Sequence, residues 1–236
     1  MSTVSIASTK PTLSPIETVG RSPSQLVQMI VGFGLTARPY PSGVELFHQG
    51  ETAEEIFFLE TGLAKLVCSE ESGRELIADI RLGGSLLGLS AVIRNQAHHL
   101  TAITASGCRL IRLSSERFLE LVRGDPKLAM TIQHILSDEV INQAARIAEF
   151  ACLSARQRLE NFIWRITQQR HSTTHTESKL QLPLRQWEVA QFLAITPGYL
   201  CRLLADMESE KIITRRNGWI VILANNHLWH REVIST

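Results

Sequence analysis

Residues 185–207, RQWEVAQFLAITPGYLCRLLADM, decide how the rest of the chain is read. In the first half Val189, Ala190 and Leu193 fall on one helical face, which predicts a short helix over 185–193. Ala194-Ile195 leaves room only for a tight turn. Thr196 then supplies an N-cap oxygen, and Pro197 takes the first helical position, where its missing N–H costs nothing. Beyond it Leu200, Leu203, Leu204 and Met207 recur at i, i+3, i+4 and i+7, a complete core stripe. Two short helices joined so tightly make a helix-turn-helix.

The residues left over on the second helix point outward: Gly198, Tyr199, Arg202 and Asp206. A recognition helix offers its N-terminal residues to base edges, and the Arg202 fork suits guanine O6 and N7. Downstream, 213–222 reads as a hairpin whose Asn217-Gly218 fits a type I′ turn. Arg215 and Arg216 would hang from that wing near the phosphate backbone, as would Arg185 and Gln186 at the start of the first helix. The candidate DNA contacts are therefore Arg185, Gln186, Thr196, Gly198, Tyr199, Arg202, Arg215 and Arg216.

Charge supports a polyanion at this end only. The 236 residues carry a net +1, but residues 1–153 hold 13 Lys+Arg against 16 Asp+Glu, and residues 154–236 hold 11 against 7. An acidic front and a basic rear imply two modules, the rear one facing nucleic acid.

Working upstream, Ser154-Ala155-Arg156-Gln157 gives a capping-box start for a helix faced by Leu159, Phe162, Ile163 and Ile166, and a polar loop is expected from Gln168 to Lys179. A longer helix follows Asp125-Pro126. It has one stripe of Ile132, Leu136, Val140 and Ile147 and a second of Leu128, Ile135, Ile141, Ala144 and Ala148. Two stripes ask for two partners, a barrel and a second helix, so the first stripe is expected as a dimer seam; burial within its own domain is the alternative. Between Tyr40 and Leu113, short apolar or alternating runs at 44–49, 56–59, 64–68, 76–80 and 101–105 are punctuated by glycines, the pattern of a jelly roll. Residues 24–33 suggest a short amphipathic helix, and residues 1–24, with 13 Ser, Thr or Pro, a flexible leader.

The fold class expected is α+β: a leader over 1–24, a β-barrel domain over 25–124, a dimerisation helix and hinge over 125–153, and a winged helix-turn-helix over 154–236. The longest uncharged apolar stretch, residues 86–93, is far short of the roughly 20 residues of a membrane span, and no signal peptide is evident, so a cytoplasmic protein without a membrane partner is expected. Cys68, Cys108, Cys152 and Cys201 have no metal-ligand spacing; small hydrophobes are the simpler reading and redox sensing the other.

Both modules resemble one family. Tyr40-Pro41-Ser42-Gly43, the run from His48 to Glu54, Gly62, Gly73, Gly83 and Gly88 are similar to the cyclic-nucleotide-binding-type barrel of the CRP/FNR transcription factors. The long helix, Arg158, and the helix from Thr196 to Arg202 with its wing continue in the same order. The resemblance implies a homodimeric regulator with a sensor barrel, double-stranded DNA as partner, and RNA polymerase as a further one. His98-His99, Asn161-Phe162-Ile163 and the tail Asn225-Asn226-His227-Leu228 resemble the FNR and FixK branch, yet residues 1–40 lack the cysteines that hold its iron–sulfur cluster.

Departures from the family refine the expectation. The effector pocket would involve Gly88, Leu89, His99, Leu100 and Gln143, but Leu89, His99 and Leu100 stand where cyclic-AMP-binding members carry a Glu and an Arg-Ser pair, and Gln143-Ala144 replace a Thr-Ser. A cyclic phosphate would lose its bidentate cation, so cyclic AMP is not expected. No cofactor or metal is expected and the effector is unknown; adjacent histidines in a strand cannot chelate together, which leaves one of His98-His99 as a single haem ligand or both as a solvated pair. On the recognition helix Gly198 replaces a Glu and Cys201 a Ser, while Arg202 is retained; Ala194 takes the turn position usually held by Gly. Two other classes stand against a regulator: a cupin-like metal-dependent enzyme, for which His48, His98 and His99 form no recognisable ligand set, and a protein-interaction module with a degenerate DNA-binding domain.

Overall fold

The computed structural model describes residues 34–168, 178–180, 184–216 and 219–222. The expected leader, the helix over 24–33, the Asn217-Gly218 turn and the tail at 225–228 lie outside the described residues.

Alternating apolar residues and positive-φ glycines produce eight strands in the front module: Arg38–Tyr40 (β1), Glu45–Phe47 (β2), Glu55–Thr61 (β3), Leu63–Ser69 (β4), Glu75–Leu82 (β5), Ser85–Leu87 (β6), Thr101–Thr104 (β7) and Cys108–Ser114 (β8). They form two antiparallel four-stranded sheets, ordered β1-β8-β3-β6 and β2-β7-β4-β5. Phe57, Leu59, Leu87 and Leu110 from one sheet meet Ala64, Leu66 and Ala102 from the other in a shared core. A helix not anticipated from the pattern, Leu89–Arg94 (α1), interrupts the strands. Gly88 caps it at φ 87°, a conformation that favours glycine, and a Cβ there would crowd His98 Cε1 at 3.0 Å.

Ser115–Gly124 (α2) leads into the 27-residue helix Pro126–Cys152 (α3). Asp125 starts it by accepting the N–H groups of Lys127 and Leu128 at 2.8 and 3.3 Å, with Pro126 in the first turn. Leu128 and Ile132 are buried with Ile56, Phe58, Leu89 and Phe118, and Leu136 packs against the same cluster. This corrects the expected seam. Ile132 is only 3% exposed and faces its own barrel, whereas Val140 and Ile147 are 68% and 71% exposed. The exposed positions 133, 137, 140, 144, 147 and 151 instead follow a heptad spacing, with Gln133 and Ser137 at its front. The physical reason is angular: at 3.6 residues per turn each step of four advances about 40° around the helix, so Val140 lies about 80° from Ile132 and faces away from the barrel.

The rear module contains Ala155–Gln168 (α4), Ser178–Leu180 (β9), Gln186–Phe192 (α5), Pro197–Ser209 (α6), Ile213–Arg216 (β10) and Trp219–Ile222 (β11). The α4 capping box forms as expected, Ser154 N–H to Gln157 Oε1 at 2.9 Å and Gln157 N–H to Ser154 Oγ at 3.3 Å. The loop expected from Gln168 to Lys179 ends instead in a strand: β9 pairs with β11, so the wing is three-stranded, ordered β10-β11-β9. Three residues opposite a longer strand carry too little periodicity to announce themselves.

The two modules share one hydrophobic cluster. Leu63, Val67, Ile77 and Ala105 of the barrel are buried together with Leu159, Phe162, Phe192 and Leu200 of the rear module. Polar ties rim it: Lys65 Nζ donates to Glu188 Oε1 at 2.5 Å, and Gln191 brackets the β5 edge through Glu75 O and Ile77 N–H. From α3, Arg146 reaches Asp79 at 3.1 Å and stacks 3.8 Å over the Phe192 ring. Among the described residues no helix is long and apolar enough to cross a membrane.

Candidate nucleic-acid interface

Helix α6 is oriented by the stripe seen in its sequence. Leu200, Leu203, Leu204 and Met207 are all buried, each contributing roughly 1.5–3 kcal/mol of burial. Thr196 Oγ accepts the Tyr199 N–H at 3.2 Å, so its side chain caps the helix. Ala194, in the turn, has φ 52°, bonded Ala194 N–H to Gln191 O and Ile195 N–H to Ala190 O. An L-residue in that region costs about 1 kcal/mol, which tertiary packing sustains here. Arg158 braces the same turn from α4: its guanidinium donates to Leu193 O and, across the hinge, to Leu153 O.

With that face inside, Thr196, Gly198, Tyr199 and Arg202 are exposed on one side of α6, and Arg185 and Gln186 are exposed at the start of α5. Gln186 Oε1 accepts from Cys201 Sγ at 3.3 Å, which places the start of α5 beside the recognition helix. Arg202 lies 5.3 Å from the Tyr199 ring centroid, and among the described residues no carboxylate pairs with it. Arg215 differs. Its N–H and guanidinium both engage Glu208, at 2.8 and 2.9 Å, and these contacts hold the Glu208 carboxyl below its ordinary range. Arg216 stands in β10 opposite Trp219. Sequence reasoning missed Trp187, which is exposed beside Gln186, and the interdomain residues Lys65, Glu188 and Gln191; only a three-dimensional contact identifies the latter.

The residues expected around an effector differ in their surroundings. Leu89 is buried in the cluster beneath α1, Leu100 packs into the barrel core, and His99 and Gln143 are exposed. His98 is not part of a solvated pair: it is buried, stacked on Phe47 with ring centroids 3.8 Å apart, and burial holds its pKa below the usual histidine value. From Gly88 to Leu100 the chain offers one cation, Arg94, which is exposed and bonded to Gln96.

A double-sheet barrel feeding a winged helix-turn-helix through a long helix defines a sensor-type DNA-binding regulator. Comparison with known proteins agrees module by module: residues 37–125 match the cyclic nucleotide-binding domain, and residues 157–231 the Crp-like helix-turn-helix domain. The chain belongs to the CRP/FNR family of transcription regulators. It is 24% identical over 198 residues to the fumarate and nitrate reduction regulatory protein of Vibrio cholerae, covering 84% of this chain and 79% of that one. To the cAMP-activated global transcriptional regulator CRP of Salmonella typhimurium it is 22% identical over 184 residues, 78% of this chain and 87% of the relative. Among solved structures, FixK2 from Bradyrhizobium japonicum superposes with a TM-score of 0.71 at 18% identity, over 83% of this chain and 96% of that one.

Proposed function

We propose that the protein binds operator DNA as a cytoplasmic homodimer, regulating transcription in concert with RNA polymerase and catalysing no reaction. Arg202 reads a guanine, while Arg185, Gln186, Thr196 and the wing arginines Arg215 and Arg216 hold phosphate. The observation that carries this reading is the outward face of α6, where Arg202 stands exposed and, among the described residues, pairs with no carboxylate, while Leu200, Leu203, Leu204 and Met207 on the opposite face are buried. The heptad-spaced apolar positions around Val140 and Ile147 support pairing of two copies through α3. We further propose that the barrel acts without cyclic AMP, cofactor or metal. Leu89 and Leu100 serve packing, and the desolvated His98 is a core residue rather than a haem ligand.

Selection of bound sites from random DNA tests the reading directly. It should return a two-fold symmetric site, on which Arg202→Ala costs about 1–3 kcal/mol per half-site and little on random sequence. No enriched site, or equal losses on both, would remove Arg202 as a base reader. Saturable cyclic AMP binding below about 100 μM by calorimetry would defeat the effector proposal.

A further inference from the structure

The first turn of α6 offers few polar readers. Pro197 and Gly198 are exposed and carry no side-chain hydrogen-bonding group. Tyr199 comes next, 39% exposed, and Arg202, three residues on, shares its face. The guanidinium 5.3 Å from the ring centroid is close enough for a cation–π contact, which limits the freedom of both side chains before any ligand arrives. Nothing lies within 4 Å of the position a Cβ would take at Gly198, so the helix can approach a groove floor closely on this side.

In the major groove only guanine presents two acceptors to a guanidinium fork, and only thymine presents a methyl group. A ring edge is apolar and matches the methyl. Side chains at i and i+3 are about 5–6 Å apart, and base pairs about 3.4 Å, so the two groups reach bases within two steps of each other. Resting on the DNA-binding reading above, we propose that Tyr199 is a second specificity-determining side chain, selecting a thymine beside the guanine met by Arg202.

The experiment uses the full-length protein and its selected operator, with each thymine replaced in turn by uracil, which removes only the methyl. Binding is read by fluorescence anisotropy at one fixed salt concentration. One thymine per half-site should matter, its replacement weakening the unaltered protein roughly five- to tenfold. Tyr199→Phe should keep that discrimination, and Tyr199→Ala should bind both forms equally while melting at an unchanged temperature. Indifference of the unaltered protein to every uracil overturns the proposal, as does discrimination that survives Tyr199→Ala. Loss in Tyr199→Phe equal to that in Tyr199→Ala also overturns it, because the hydroxyl would then be acting on phosphate. Absence of any preferred site would instead sink the reading beneath it, and this inference with it.

Discussion

The two halves of α3 are made of similar residues and do different work. In the first half Leu128 and Ile132 are buried against α1, α2 and β3. In the second half Val140 and Ile147 stand in the open, and Arg146 on another face ties the helix to Asp79 and Phe192. The contrast teaches that apolar identity alone does not allocate a stripe to a partner; the rotation of the helix along its length does.

The largest test of that division is Val140→Asp. A carboxylate facing its symmetry mate in a buried seam should cost about 3–5 kcal/mol per subunit in association. Sedimentation velocity should show monomers with weakened operator binding and intact secondary structure; a dimer at micromolar concentration would place the seam elsewhere. Ile132→Ala should do the reverse. It should lower unfolding stability by roughly 2–5 kcal/mol in denaturant titrations while leaving association of the folded chain unaltered. Arg146→Ala removes a charged hydrogen bond and a stacked cation, a loss of about 1–3 kcal/mol expected in stability, with no change in oligomeric state. The smallest effect belongs to His98. Its folded pKa lies below the unfolded value, so the unfolded chain binds more protons, and stability should fall as pH drops below about 6.5 toward the folded pKa. Melting curves across pH 5–8 check this, and His98→Gln should flatten the slope.

Much of the rear module was legible because its signals are local. The Thr196 cap, the Pro197 start and the 200–207 stripe are each written within a few residues, and the structure has all three. The positive φ of Ala194 falls at the turn position where the family resemblance placed a residue usually held by Gly. Elsewhere the decisive information was not local. Ile132 and Val140 carry the same hydrophobic label, and only the course of the barrel separates them. Leu89, expected to line a pocket, became a core residue because Gly88 turns the chain into α1. Glu188 carried no signal of its own, since nothing in sequence brings Lys65 within reach across 123 positions.

The hydrophobic cluster spanning the two modules has an energetic consequence for how divisible the chain is. Leu63, Val67 and Ile77 close the same oil drop as Phe162, Phe192 and Leu200, so neither module reaches its native solvation when alone. A border drawn at the hinge separates names, not folding units. A fragment cut there would bare apolar surface on α4 and α5, and a chimera fitted with a foreign barrel would have to bring its own counterparts of those three side chains.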